Sequence, residues 1–326
     1  MRHPLGTQEG ARGVTVIVCT YKRAASLTRF LDSLALQEAR PKALLVVDAS
    51  PDDQTEKAMH ARTDLDRLAR RVCYFRVAGA FRGLTRQRNF GLRWVETDLV
   101  AFFDDDIVLL PGCLREMEHV HREFGEGAVG VGAWIVNGAR SPSLLWRTRH
   151  FLGAVHCLKP GTYDSSGMST PWSWLEPTGA VFEGDWLPGG ATMWRTEAAE
   201  KTGFPDTFEG YAQGEDLDFS LRVRHCGLLL MATGAHAEHL HHPSGRPSHF
   251  TLGYIALFNR YQIHRRVFGS RACRKTLVFA YAWTIDSVLL LRRVLIPSAT
   301  LPTLQQLAGR IHAAFDILRS RQKPEK

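Results

Sequence analysis

Residues 99–112 read LVAFFDDDIVLLPG. Leu99 to Phe103 form the short, near-continuous apolar run of a strand covered on both faces. Asp104, Asp105 and Asp106 follow without a break. Like charges this close repel and are costly to keep ionised unless something positive is shared between them. A divalent cation would serve, and oxygen ligands of this kind select Mg2+ or Mn2+, which would in turn bridge phosphate oxygens. The plainer reading is a solvated acidic turn, or caps for the helix expected over 112–124.

Outward from this stretch, strand and helix patterns alternate. VTVIVC (14–19) is β-branched, and the residues after it place Leu27, Phe30, Leu31 and Leu34 on one helical face. ALLVVD (43–48) precedes a polar, helix-like 52–71, and CYFRVA (73–78) precedes LTRQRNFGLRWV (84–95). LVAFF is followed, after Pro111-Gly112, by Leu114, Met117, His121 and Phe124 at helical spacing. This alternation predicts an α/β fold with a mostly parallel sheet and helices on both faces. Ligands of such sheets bind beyond the carboxyl ends of the strands. Asp48 ends the second run, Thr20 and Tyr21 follow the first, and the Asp triplet follows the fourth, so they converge on one crevice. Asp48 in VVDASPDD also suits an ordinary capped turn.

The chain has 326 residues, 44% of them hydrophobic, enough to bury a sizeable core. The expected organisation is a disordered lead-in over 1–12, a sheet domain over 13–249 and a helical region over 250–326. A net charge of +8 points to an anionic partner: nucleotide, nucleic acid or an acidic membrane surface. The six cysteines are scattered without a C-x-x-C pair, which argues against a zinc site or a disulfide framework and fits a reducing cytosol. The polar start, MRHPLGTQEGARG, has no apolar core of a secretory signal.

A second acidic motif follows a glycine pair. EGDWLPGGATMWR (183–195) carries Gly189-Gly190, where backbone can approach a ligand closely, and GEDLDFSLRVRHCG (214–227) places Glu215 and Asp216 at a helix start. Acidic residues there complement the helix dipole; alternatively, one carboxylate faces the crevice as a general base. HAEHLHHPSGR (236–246) offers four histidines, but no cysteine lies near and His239, His241 and His242 make no complete tetrahedral zinc set. Trp146, Trp172 and Trp174 lie among Pro and Gly in 140–182, where they either stack on a sugar acceptor or cover core.

Together these segments resemble glycosyltransferase family 2, inverting enzymes of GT-A fold that use nucleotide-sugar donors. The resemblance covers about residues 13 to 245 and rests on the order of its motifs. VIVCTYKR resembles the first strand and nucleotide loop, VVDASPDD the D-x-S turn, and GLTRQRNFGL the G-x-x-x-A-R-N-x-G segment. FFDDDIVLLPG resembles the D-x-D metal motif, and PGGATMWR with GEDLDFSLR the glycine loop and E-D base motif. Ala49 departs from a frequent second Asp, and Gln87 from a small residue.

The resemblance implies a Rossmann-like GT-A domain followed by a C-terminal helical appendage, and a role for each matching residue. Asp48 would accept from the nucleobase, with Thr20, Tyr21 and Arg23 as pocket wall and Arg88 offsetting phosphate charge. Within the triplet, Asp104 or Asp105 would hold ribose and Asp106 the metal, with D-x-D spacing favouring Asp104 beside it. His239 or His241 would add a metal or diphosphate contact. Asp216 would deprotonate an acceptor hydroxyl that displaces the nucleoside diphosphate in one inverting step. Glu215, Trp172 and Trp174 are acceptor-side candidates. The implied class is a hexosyl- or deoxyhexosyltransferase of bacterial glycan or glycoconjugate synthesis, with Mg2+ or Mn2+, a nucleotide-diphosphate-sugar donor and no nucleic acid; its acceptor would be carbohydrate, lipid-linked or a small molecule. A nucleotidyltransferase would usually show glycines after its first strand, which TYKRAASL lacks. A non-catalytic nucleotide-sugar-binding protein is the remaining alternative.

After about residue 250 the composition changes. TLVFAYAWTIDSVLLL (276–291) is apolar but short, contains Asp286, and is flanked by Arg271, Arg274, Lys275, Arg292 and Arg293, so no span is expected. Basic flanks suit a peripheral contact with anionic lipid at the inner face of the membrane. Leu304, Leu307, Ile311, Phe315 and Leu318 share one face, which would dock on the domain or on a second copy. A cytoplasmic protein with either arrangement fits.

Overall fold

The computed structural model describes residues 11–208, 212–241, 247–269 and 272–321. Its frame is a nine-stranded sheet of order β3-β2-β1-β4-β8-β6-β9-β5, with β7 paired to β9. The strands are β1 (Ala11–Thr20), β2 (Ala43–Asp48), β3 (Arg71–Arg76), β4 (Thr97–Asp104), β5 (Ile107–Leu109), β6 (Ala128–Ile135), β7 (Val181–Gly184), β8 (Ala191–Arg195) and β9 (Leu228–His239). The first four are mutually parallel, while β8 runs antiparallel to both β4 and β6. All six residues of β2 are buried, because helices cover both of its faces.

The helices that matter here are α1 (Ala24–Ala35), α2 (Gln54–His60), α3 (Leu65–Leu68), α4 (Leu84–Leu92), α5 (Cys113–Glu123), α6 (Leu144–Phe151), α7 (Thr196–Thr202), α8 (Glu215–Val223), α9 (His249–Phe268), α10 (Cys273–Leu291) and α11 (Pro297–Arg321). Leu27, Phe30, Leu31 and Leu34 of α1 all enter the core, as their spacing predicts. The expected helix over 52–71 is two short pieces, α2 and α3, since Thr63-Asp64 interrupts it. β1 starts at Ala11, and residues 1–10 of the expected lead-in lie outside the described residues.

Register aligns the strand ends. Thr20 pairs with Asp48 and Cys19 with Asp104, so β1, β2 and β4 all finish at one level. The Asp triplet therefore begins at the sheet's edge rather than inside it.

The C-terminal helices are bound to this frame. Ile263 of α9 packs with Leu217 and Leu221, the apolar side of α8. The apolar face of α11 does not dock on the domain: Leu304, Ile311, Phe315 and Leu318 are exposed, while Thr303, Ala313 and Ile317 are buried. Glycines let α9 and α11 touch through backbone, for a Cβ on Gly253 would come within 2.0 Å of the Gln306 carbonyl oxygen and one on Gly309 equally near that of Phe250. No helix among the described residues is long and apolar enough to cross a membrane. Arg271 and His242 lie outside the described residues.

Candidate active site at the strand ends

Where β4 ends, the triplet splits. Asp105 turns toward β1, accepting from Thr20 Oγ1 at 2.6 Å and from Arg23 Nη1 at 3.2 Å. Burial pushes its pKa up to about 6 despite those two partners. Asp104 and Asp106 instead meet His239 of β9, and one ligand atom from each lies within 4.8 Å of the others. His239 Nε2 stands 3.1 Å from Asp106 Oδ1. Ligands at about 2.1 Å on neighbouring corners of an octahedron are about 3 Å apart, so this pair suits one coordination sphere. Two carboxylates and an imidazole form a donor set that fits Mn2+ or Mg2+. β9 pairs its last residues with β5, which brings His239 opposite Ile107 and so beside the triplet. His241 lies against His239, the rings tilted by 34° with centroids 4.0 Å apart, and is not part of the three-residue group.

Arg88 of α4 holds the next layer. Its guanidinium, 2% exposed, donates to Asp104 Oδ1 at 2.9 Å, to the Gly189 carbonyl at 3.0 Å and to Glu215 Oε1 at 3.1 Å. Burial, then the neighbouring Asp216, drives the Glu215 pKa well above the usual carboxylate range. Burial also works against the Arg88 charge, but Asp104 and Glu215 outweigh it and keep that pKa raised. Gly189 and Gly190 are small because the protein's own side chains crowd them. A Cβ on Gly189 would fall 2.8 Å from Asp216 Cβ, and one on Gly190 3.0 Å from Asp104 Oδ2.

Asp216 lies at the start of α8, half-buried. Its oxygens accept from Gly189 N at 3.2 Å and from Leu217 N at 2.8 Å, which fixes the carboxylate while leaving lone pairs to spare. Glu215 and Asp216 are adjacent in sequence but differ in their contacts: Glu215 accepts from Arg88, whereas the hydrogen bonds of Asp216 among the described residues come from backbone.

At the β2 end, Asp48 is fully buried and accepts from Ser50 N and Tyr74 Oη, each at 2.8 Å. Tyr21 sits under the Arg82 guanidinium, 4.7 Å from its ring centroid. Arg23 reaches Asp105 and Asp106, so its charge faces the carboxylates and not the Asp48 end. Pattern reading missed Tyr74 and Arg82, and it marked Gln87 only as a departure from a small residue. Gln87 Nε2 donates to the carbonyls of Thr20 and Val47, tying α4 to two strand ends, which is why a long amide stands there. The Tyr in CYFRVA, two residues short of its strand's end, was the available signal for Tyr74.

The tryptophans divide. Trp172 is corrected to core: it is 4% exposed, donates from Nε1 to the Trp186 carbonyl at 2.7 Å, and packs so tightly that Gly161 and Gly184 could not carry a Cβ. A ring enclosed in this way has no face to offer a sugar. Trp174 is half-buried and meets Trp146 edge-on at 5.2 Å.

Residues 15–169 match the family model described as Glycosyl transferase family 2. Over 239 residues, 66% of this chain, the sequence is 26% identical to validoxylamine A glucosyltransferase of Streptomyces hygroscopicus subsp. limoneus, and the match covers 48% of that protein. The chain thus spans about half the length of the curated relative it matches. Mannosyltransferase PcManGT from Pyrobaculum calidifontis, in complex with GDP-Man and Mn2+, aligns at TM-score 0.54 and 15% identity, over 94% of this chain and 88% of that one. GalNAc-T7 with UDP, GalNAc and Mn2+ aligns at TM-score 0.54 and 14% identity, over 81% and 52%. At such identities the likeness is one of fold, the GT-A arrangement of a curled sheet with flanking helices.

Proposed function

We propose that this chain, whose residues 15–169 match the model described as Glycosyl transferase family 2, moves a sugar from a nucleotide-diphosphate-sugar donor to an acceptor hydroxyl in a single inverting displacement. The observation that carries this reading is the convergence of Asp104, Asp106 and His239 at the strand ends, with Asp216 reaching the same crevice across Gly189. Asp104, Asp106 and His239 would hold a divalent cation. When bound, it supplies positive charge to a diphosphate leaving group.

The side chains divide the remaining work. Asp48 and Tyr21 line the end of the crevice suited to a nucleobase. Arg88 keeps Asp104 aimed by a buried ion pair, and Arg23 does the same for Asp105 and Asp106. Asp216, fixed by two backbone N–H groups, takes the proton from the attacking hydroxyl as the bond to the anomeric carbon forms and the bond to the diphosphate breaks. The GDP-Man bound in one structural neighbour and the UDP and GalNAc in another support a nucleoside-diphosphate sugar as the donor class.

The test is nucleotide release from a panel of UDP-, GDP- and dTDP-sugars with Mn2+ or Mg2+. Release of nucleoside diphosphate, lost in EDTA and restored by metal, is the expected result. Pyrophosphate release would identify a nucleotidyltransferase, and donor binding without release a binding protein; either outcome overturns the proposal.

A further inference from the structure

The helices α6, α10 and α11 enclose a cavity of about 330 Å³ that shares no residue with the strand-end cluster. Four arginines line it, Arg149, Arg292, Arg293 and Arg310, against a single carboxylate, Asp286; leucines of α6 and α10 complete the wall. Asp286 is 5% exposed and already shared. Arg149 Nε donates to it at 2.6 Å and Arg310 Nη2 lies 2.9 Å away. Arg310 Nε is buried without a hydrogen-bond partner. The side chains of Arg292 and Arg293 are exposed and make no hydrogen bond or ion pair among the described residues. The cavity therefore holds more positive charge than its own carboxylate offsets, and guanidinium forks are the groups that best match phosphate oxygens.

What surrounds the arginines indicates the phosphate's source. Leu144, Val288, Leu291, Leu295 and Ile296 flank the lining residues in sequence and are 77%, 56%, 48%, 86% and 52% exposed. A soluble anion has no use for that apolar rim. A phospholipid uses both parts, its headgroup phosphate among the guanidinium groups and its acyl boundary around the rim. We infer that this cavity binds the phosphate of an anionic phospholipid and seats the C-terminal helices on a membrane surface. The contact is interfacial, in keeping with helices too short or too polar to span. It is independent of the glycosyl-transfer reading, for none of these residues touches the strand-end site.

The experiment is flotation of the full chain with vesicles of phosphatidylcholine alone and with phosphatidylglycerol added, at low and high salt. The wild type should float with the anionic vesicles only, and release as salt rises. The double substitution Arg292→Gln/Arg293→Gln should weaken binding by about 30-fold, since each basic residue near such a surface contributes about a fivefold step. A second variant, Leu295→Ser/Ile296→Ser, should also weaken it; both pairs are exposed, so the fold is kept. No flotation at low salt, equal flotation with neutral vesicles, or undiminished binding by the arginine variant would each overturn the assignment. Displacement by millimolar inorganic phosphate with no effect of the leucine–isoleucine variant would reassign the cavity to a free anion. A lipid-free dimer that the same variant dissociates would reassign the rim to a second copy.

Discussion

The strand-end crevice and the helical cavity are both clusters of charge held inside protein, and they are opposite in sign. In the crevice Asp104, Asp105, Asp106, Glu215 and Asp216 surround Arg23 and Arg88. In the cavity four guanidinium groups share the lining with Asp286, which pairs with those of Arg149 and Arg310. Each cluster folds around its minority charge, Arg23 and Arg88 each pairing with two of the carboxylates and Asp286 with two of the guanidinium groups, while the surplus is left over for a ligand of opposite sign. The difference separates two kinds of residue that look alike in a sequence: those that hold the cluster together and those that hold something else.

The largest expected effect falls on a surplus charge with a chemical task. Asp216→Asn keeps the shape and the acceptor oxygen but removes the proton acceptor. Turnover should fall about 10²- to 10⁴-fold with donor affinity and thermal stability near wild type, since a general base acts in the transition state. If Asp216 merely caps α8, Asn does as well and kcat hardly moves. Single-turnover kinetics with the true donor and acceptor distinguish the two.

Minority charges should behave in the opposite way, costing stability first. Arg88→Met leaves Asp104 and Glu215 without their shared cation at a site where the guanidinium is 2% exposed. Breaking a buried pair from one side costs about 3–5 kcal/mol, so denaturant unfolding should show a loss of that size. Asp286→Asn should fall at the lower end of the range, because its partners Arg149 and Arg310 are 14% and 13% exposed and keep some water. A change under about 1 kcal/mol in either variant would break the minority-charge comparison.

His121 shows what a buried titratable group does with no counter-charge cluster around it. It is 3% exposed, its Nε2 stands 3.1 Å from the Met193 carbonyl, and burial lowers its pKa to about 4. The unfolded chain therefore binds a proton near pH 6.5 that the folded protein refuses until about pH 4. Stability from this group is full above pH 6.5 and is lost as pH falls toward 4, by about 3 kcal/mol in all. His121→Leu loses the hydrogen bond but should flatten that part of the stability–pH curve. An unchanged slope between pH 6.5 and 4 would show that other groups set it.

How much of this was legible follows from which forces leave a pattern. The four parallel strands, the α1 face and the triplet at a strand end could be read because apolar runs and their terminating carboxylates are local. The division of the triplet could not, since Asp105 is drawn to Thr20 and Arg23 across a strand pairing. AVGVGAWI at 128–135 is an apolar run that periodicity could have flagged as β6, whereas the pairing of β9 with β5 that sets His239 opposite Ile107 and near Asp106 leaves no local pattern. The side of α11 that packs on the domain was not legible for a physical reason. The helix's apolar stripe at Leu304, Ile311, Phe315 and Leu318 is exposed, and the packed side relies on Gly309, Ala313 and close backbone approach, which carry no hydrophobic signal.

The smallest expected effect concerns a surplus charge in the cavity and completes the contrast. Arg293→Gln removes one of four guanidinium groups, and its side chain is exposed with no ion pair among the described residues to lose. Surface substitutions away from caps and networks usually stay within ±0.5 kcal/mol. Removing like charge from an over-cationic cluster also relieves repulsion, so the sign should be neutral to slightly stabilising. The measurement is paired denaturant unfolding of Arg293→Gln and Asp286→Asn in one buffer at low salt. Equal losses would mean that Arg293 is part of the scaffold and that the cavity has no surplus. A near-silent Arg293→Gln beside a clearly weakened Asp286→Asn would leave Arg293 without a structural task, its charge directed outward at whatever anion the cavity meets.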